Sequence, residues 1–299
     1  MMAAAAMTKL RGTLLENESM SRHTTWRVGG PAQRFYKPAD LQDLQAFMQT
    51  LDADDPVYWL GLGSNLLVRD GGIKGTVIYT TNLLAEMTLQ GPQQVRVEAG
   101  VPCAKVARFC ARSGLVGAEF LAGIPGTMGG ALAMNAGAFG GETWDKVVAV
   151  ETIDHQGVLH RRTPDEYEIG YRHVAGPQGE WFVATVLQLE EGETELGQQN
   201  IRALLDKRGA SQPTKEANAG SVFRNPEGDY SARLIESCGL KGRRIGGACV
   251  SEKHANFIIN TGEAKAADIE ALIVDVASIV KRECGVQLET EVRIIGEKI

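Results

Sequence analysis

Nine glycines fall between Gly114 and Gly141, and a second cluster, Gly61-Leu-Gly-Ser-Asn65, runs on to Asp70-Gly71-Gly72. That is too many for ordinary turns, since each glycine raises the entropy cost of ordering the backbone. The chain holds 35 glycines in 299 residues, above the usual share, with neither a collagen period nor low complexity to account for them. Glycine conformations leave successive backbone N–H groups free, and these form concave anion sites. Ser64, Asn65, Thr127 and Asn135 add side-chain donors. A pyrophosphate is the natural guest; the plainer alternative is a set of sharp turns between sheets. The familiar nucleotide motifs are missing. A P-loop needs Gly-Lys followed by Ser or Thr, whereas here lysine precedes glycine in Lys74-Gly75 and Lys241-Gly242. Gly61-Leu-Gly63 lacks the third glycine of a Rossmann turn.

Charge and composition narrow the partners. Lys plus Arg number 31 against 37 Asp plus Glu, a net charge of −6, which offers no basic excess for a nucleic-acid backbone. No stretch approaches the ~18 apolar residues of a membrane span, so a soluble chain is expected. The five cysteines, Cys103, Cys110, Cys238, Cys249 and Cys284, are odd in number and never in CxxC spacing. Neither a disulfide framework nor a zinc ribbon fits, no metal site is expected, and a reducing cytoplasm follows. The N-terminus has no basic region ahead of an apolar core, which argues against a signal peptide.

Periodicity sketches the elements. Leu41, Leu44, Phe47, Met48 and Leu51 form one helix face, and Cys103, Val106, Ala107 and Cys110 another, with the two cysteines as small core residues. Strands are predicted at 57–60, 76–80, 95–99, 147–153, 159–162 and 181–190. The polar stretch 191–200 reads as a connector, followed by a short helix at 201–208 and another at 232–238. A strand is predicted at 256–260. Ile269, Leu272, Ile273, Val276 and Val280 mark the clearest helix, with Asp268 near its start, Lys281 and Arg282 at its end, and Gly285 as its stop. The closing strand alternates Leu288, Thr290, Val292 and Ile294 inward with Glu289, Glu291 and Arg293 outward. The expected organisation is a flexible tail at 1–20, a first domain at 21–195 and a second at 196–299.

A set of segments, in order along the chain, carries a family resemblance: Thr25-Trp-Arg-Val-Gly-Gly30, Gly61-Leu-Gly-Ser-Asn-Leu66, Gly123-Ile-Pro-Gly-Thr-Met-Gly-Gly130, Asn135-Ala-Gly-Ala138 and Gly170-Tyr-Arg172. Gln212-Pro213, Ala219-Gly-Ser-Val-Phe-Arg-Asn-Pro226, Gly239-Leu-Lys-Gly242, Ser251-Glu-Lys-His-Ala-Asn-Phe257 and Glu291-Val-Arg-Ile-Ile-Gly296 continue it. Together they resemble the UDP-N-acetylenolpyruvoylglucosamine reductases, the MurB family of peptidoglycan precursor synthesis. The resemblance implies an α+β chain. Its FAD-binding domain would comprise two α/β subdomains of the PCMH/vanillyl-alcohol-oxidase type, followed by a C-terminal α/β substrate-binding domain. It also implies noncovalent FAD, NADPH as co-substrate, and UDP-N-acetylglucosamine enolpyruvate as substrate, with no nucleic-acid, membrane or protein partner. Some members carry a long insertion with a substrate-contacting tyrosine after the counterpart of Tyr171-Arg172. The segment 181–201 is too short to hold it, so the chain resembles the shorter subtype. The stretch after Arg172, His-Val-Ala-Gly-Pro, also lacks a serine expected there.

The implied reaction places a hydride on the carbon β to a carboxylate, leaving charge at the α carbon. That charge requires a fixed cation at the carboxylate and an acid for the α carbon. By resemblance, Arg172 meets the carboxylate, Ser221 donates the proton and Glu291 is the acidic partner. Read locally, each has a plainer alternative: a surface arginine paired with Glu166 or Glu168, a turn serine, and an ion pair with Arg293. The candidate cofactor-binding residues are Gly61, Gly63, Ser64, Asn65, Gly123, Pro125, Gly126, Thr127, Gly129, Gly130, Asn135 and Gly137. Arg208, Asn225, Lys253 and His254 are candidates for the diphosphate or sugar, while the basic run Lys241, Arg243 and Arg244 reads as a solvated loop. Two rivals stand beside this reading. One is an oxidase on the same flavin fold, which would lack the segments 219–226 and around Glu291; the other is a non-catalytic nucleotide-sugar binder.

Overall fold

The computed structural model describes residues 9–299. Two sheets build the N-terminal part. In the first, β1 (Thr13–Ser19), β2 (Pro31–Lys37), β3 (Val57–Leu60) and β5 (Ile73–Tyr79) lie in the order β1-β2-β5-β3, with β1 antiparallel to β2 and the other pairings parallel. Between β3 and β5, β4 (Leu66–Val68) leaves the sheet. Helix α1 (Leu41–Met48) bridges β2 and β3. Asp40 caps it by accepting the Asp43 N–H, and Leu44, Phe47 and Met48 bury against Tyr36 and Ile78. Residues 13–19 were expected in a flexible tail and are instead an edge strand. Six of their residues register with β2, but most of the side chains are exposed, so backbone hydrogen bonding makes this strand and no apolar alternation announces it. Met20, also in the expected tail, is fully buried, and residues 1–8 lie outside the described residues.

The second sheet has five antiparallel strands, in the order Leu159–Arg162, Val147–Asp154, Glu180–Gln188, β7 (Gln94–Glu98) and β6 (Met87–Leu89). Helices α2 (Cys103–Arg112) and α3 (Met128–Ala133) pack into its core. Cys103 and Cys110 are core residues, and burial pushes both thiols up to about 12. Helix α4 spans Thr194–Ser211, eighteen residues rather than the short segment predicted. Its first turns show no apolar face in sequence. Close approach holds them, since a Cβ on Gly197 would sit 3.1 Å from that of Ala111, while Ile201 and Leu205 enter the core around α2. The helix expected to open the second domain therefore packs on the first.

The C-terminal part combines α5 (Ser231–Ser237), a small antiparallel sheet of Arg244–Ile245, Ala248–Val250 and Ile258–Asn260, and α6 (Ala266–Cys284). α6 buries Ile269, Leu272, Ile273, Val276 and Val280, and ends at Gly285 in the left-handed region. The expected closing strand is shorter, Arg293–Ile295, and pairs in parallel with β4. The predicted alternation is only partly kept. Thr290 is exposed, and Glu291, expected outward, is mostly buried at the junction of the two parts. Trp26, Val28 and Leu67 from the N-terminal part complete the C-terminal core.

Candidate active site

A cleft of about 440 Å³ opens where the two glycine segments meet the C-terminal part. One wall is the loop 61–65, running from β3 to β4. Among the described residues, the backbone N–H groups of Leu62, Gly63, Ser64 and Asn65 donate to no backbone carbonyl, which leaves four amides for an anion. Gly63 adopts φ +65°, and a Cβ there would lie 2.2 Å from the His23 carbonyl, so only glycine fits. Gly61 faces Thr127, whose buried Oγ1 has no hydrogen-bond partner. These donors fit a dinucleotide pyrophosphate.

The loop is fixed from both sides. The Thr25 N–H donates to the Gly63 carbonyl at 3.2 Å. Asn65 Nδ2 donates to the Glu291 carbonyl at 3.1 Å, and the Arg293 N–H returns a bond to the Asn65 carbonyl at 3.0 Å. Of the candidate cofactor residues, Gly61, Gly63, Ser64, Asn65, Gly123, Pro125, Gly126, Thr127, Gly130 and Gly137 line this cleft. Gly129 and Asn135 do not. The Gly129 N–H donates to the Ala99 carbonyl, and its Cα is pressed against Ala99. Asn135 is a brace: its Nδ2 donates to Glu142 at 2.8 Å and to the Gly170 carbonyl at 3.2 Å, and its Oδ1 accepts the Trp144 N–H.

Gly170 matters because it closes the hairpin that carries Arg172. Glu168–Gly170 pairs with His173–Ala175, and the two-residue turn between them holds Arg172 at φ +53°. A non-glycine residue there is strained, and strain of this kind concentrates at functional positions. Arg172 Nε lies 3.1 Å from Glu291 Oε1 without hydrogen-bond alignment. Neither Glu166 nor Glu168 is its partner: Glu166 pairs with Arg162, and Glu168 with His173. Glu291 is likewise not paired with Arg293. Its side chain is 11% exposed, and burial raises its pKa above the ordinary carboxylate value, against the opposing pull of Arg172 and Arg224.

Backbone bonds set Ser221 beside Glu291. The Val222 carbonyl accepts the Glu291 N–H at 2.8 Å, while the Val222 N–H donates to the Asn256 carbonyl. The Asn256 side chain clamps Phe223 on both backbone groups. Ser221, Arg172 and Glu291 thus line one cleft with the glycine loop. Arg224, not among the predicted residues, donates from Nη2 to the Arg172 carbonyl at 3.2 Å and buries an unpartnered Nε. Its signal in sequence was only its place beside Asn225.

Arg208, on α4, also lines the cleft, bonding Gln212 at 3.0 Å; burial lowers its pKa, and no carboxylate pairs with it among the described residues. A buried, unneutralised guanidinium suits an anion. The other three candidates lie outside the lining. Asn225 accepts the Ser231 N–H at the start of α5, Lys253 Nζ donates to the Gly209 carbonyl at 2.5 Å, and His254 packs edge-on against Phe257. In the basic run, Lys241 pairs with Glu236 and Arg243 with Asp275.

Known proteins agree with this architecture. Residues 32–163 match the FAD binding domain family, and residues 212–295 match the C-terminal domain of UDP-N-acetylenolpyruvoylglucosamine reductase. The UDP-N-acetylenolpyruvoylglucosamine reductase of Methylococcus capsulatus is 60% identical over 295 residues, covering 99% of this chain and 97% of its own. That of Legionella pneumophila strain Philadelphia 1 is 58% identical over 297 residues, covering 99% and 96%. The crystal structure of the MurB reductase from Thermus caldophilus superposes with a TM-score of 0.80 at 35% identity, covering 95% of this chain and 98% of that one. With identity of this order over nearly the whole of both chains, the chain belongs to the UDP-N-acetylenolpyruvoylglucosamine reductase family.

Proposed function

We propose that this chain reduces the enolpyruvyl ether of UDP-N-acetylglucosamine to UDP-N-acetylmuramate at the expense of NADPH, with Arg172, Ser221 and Glu291 at the reacting centre. The observation that carries it is the Arg172–Glu291 pair lining the same cleft as Ser221 and the 61–65 amides. FAD, when bound, supplies hydride chemistry between the nicotinamide and the substrate. Leu62 to Asn65 and Thr127 would hold its pyrophosphate through N–H and hydroxyl donors.

The chain's own task is to stabilise the charge left on the substrate and to protonate it. Arg172 is charged and lacks an aligned bond to Glu291, so its planar fork remains available to two carboxylate oxygens. Glu291 keeps that guanidinium turned into the cleft, and its raised proton affinity suits a group that shares a proton during the second half of the reaction. Ser221 delivers a proton to the α carbon; a hydroxyl is a weak acid, but an enediolate is a strong base. Arg208 supplies positive charge for the diphosphate. The working division falls after α4, with residues 13–211 as the cofactor unit and 212–299 as the substrate unit. The described residues include no helix long and apolar enough to cross a membrane, and a cytoplasmic setting fits a nucleotide-sugar substrate.

Ser221→Ala tests the reading. Bleaching of the flavin by NADPH should be nearly normal, while reoxidation by the enolpyruvyl substrate slows by roughly 10²- to 10⁴-fold. Stopped-flow traces in which both half-reactions slow together, or neither does, remove Ser221 as the proton donor.

A further inference from the structure

Three of the five cysteines, Cys103, Cys110 and Cys249, are buried; the other two meet at the surface. Cys238 caps the C-terminal end of α5, Cys284 is the last residue of α6, and their sulfurs are 3.5 Å apart across 46 residues of chain. Cys284 is exposed and Cys238 half-buried. A disulfide bond would require the sulfurs to close by roughly 1.5 Å, a movement that helix ends accommodate more readily than a core does.

From this contact we infer that Cys238 and Cys284 form a reversible dithiol/disulfide site that staples α5 to α6. The oxidant is a low-molecular-weight disulfide. The exposed Cys284 thiolate attacks one of its sulfurs, the small S–S bond breaks, and one small thiolate leaves and takes up a proton. Cys238, deprotonated in turn, attacks Cys284 Sγ in the mixed disulfide and expels the second small thiol. Two cysteine thiols are oxidised, one small disulfide is reduced to two thiols, and one protein S–S bond is formed. The bond closes a long loop, which removes conformations from the unfolded chain. α5 is also the helix whose first residue, Ser231, is bonded through its N–H to Asn225 and through its hydroxyl to the Arg224 carbonyl. The staple therefore restrains the element directly behind the segment that carries Ser221.

The test uses the full-length, FAD-loaded protein incubated with glutathione disulfide, then denatured and alkylated. Free thiols should fall from five to three. The intact mass should drop by two hydrogens, Cys238 and Cys284 peptides should be linked, and dithiothreitol should reverse all three changes. Oxidised protein should melt several degrees higher than reduced protein. The Cys284→Ser variant should show no such shift after the same treatment. Five alkylatable thiols after incubation, glutathione adducts without the loss of two hydrogens, or a linked pair that leaves the melting temperature unmoved would each overturn the proposal. The mass readout on unsubstituted protein is independent of how the variant folds.

Discussion

Arg172 is held in a backbone conformation it would not choose, at φ +53°, by bonds on either side of its turn. Asn135 bonds the Gly170 carbonyl on one side of the turn, and Arg224 bonds the Arg172 carbonyl on the other. The turn is thus fixed on both sides, and for the role proposed for Arg172 the guanidinium fork is the property that matters. Arg172→Lys should lower turnover by roughly 10²- to 10³-fold, the scale of losing one preorganised donor, with the flavin absorbance of the purified protein unchanged. Steady-state assays beside a visible spectrum measure both; a wild-type rate would mean that another group meets the carboxylate. Glu291 has the opposite problem, a carboxylate in a site that disfavours its charge. In the folded chain it keeps its proton to higher pH than in the unfolded chain. Between the ordinary carboxylate value and the raised one, the folded state therefore binds more protons, and the Glu291 contribution falls as pH rises through that window. Glu291→Gln should remove this slope, so that urea melts of the variant gain on the wild type as pH rises from the ordinary carboxylate value through that window, while its turnover drops.

At the scale of elements, Gly126, in the loop before α3, and Gly129, in its first turn, sit in different surroundings. Neither Gly126 nor Gly129 has a positive φ, so conformational freedom is not the reason for either. A Cβ on Gly126 would meet Ser64 Oγ at 3.6 Å and Ile124 at 3.8 Å, ordinary contacts beside the cleft. A Cβ on Gly129 would be forced to 2.9 Å from that of Ala99, where α3 abuts the residue following β7. Gly126→Val should therefore fold and melt close to wild type but bind FAD more weakly in a fluorescence titration. Gly129→Val should lose about 1–3 kcal/mol of stability through overpacking, read by urea denaturation. Equal effects of the two on stability would erase the distinction. The helices show the same contrast in legibility. α6 announces itself through five apolar positions on one face, whereas the first half of α4 shows no such face and packs closely on Ala111 at Gly197.

For the molecule as a whole, the two parts are welded rather than tethered. The Trp26 side chain, fully buried, donates from Nε1 to the Ile258 carbonyl at 2.7 Å, and Asn260 returns a bond to the Trp26 carbonyl. Arg293–Ile295 adds a parallel strand to β4, directly after the glycine loop. Trp26→Phe leaves the Ile258 carbonyl buried without its donor, which should cost about 1–3 kcal/mol. Because the strut crosses the junction, flavin fluorescence and far-ultraviolet signal should be lost in one coincident urea transition, at lower urea than in wild type. Two separated transitions would show that the parts fold independently.

The sequence by itself determined the elements whose periodicity is local: α1, α2, α6, four strands of the five-stranded sheet, and the two glycine loops with their surplus of donors; the short edge strand β6 was not among them. Its ordered motifs also carried the family and therefore the expectation for Arg172, Ser221 and Glu291. Only the tertiary structure decided what those residues meet. The edge strand β1 is made by backbone pairing that leaves no mark on side-chain pattern. Glu291 was read as outward because strand alternation distinguishes two faces but not what covers them, and here the outward face is roofed by the hairpin bearing Arg172. Arg224 and Asn256 gain their roles from bonds to residues 52 and 33 positions away, separations that no local pattern encodes. Periodicity reports the face a side chain takes; a site arises from distant faces brought together, and that depends on the packing of the whole chain.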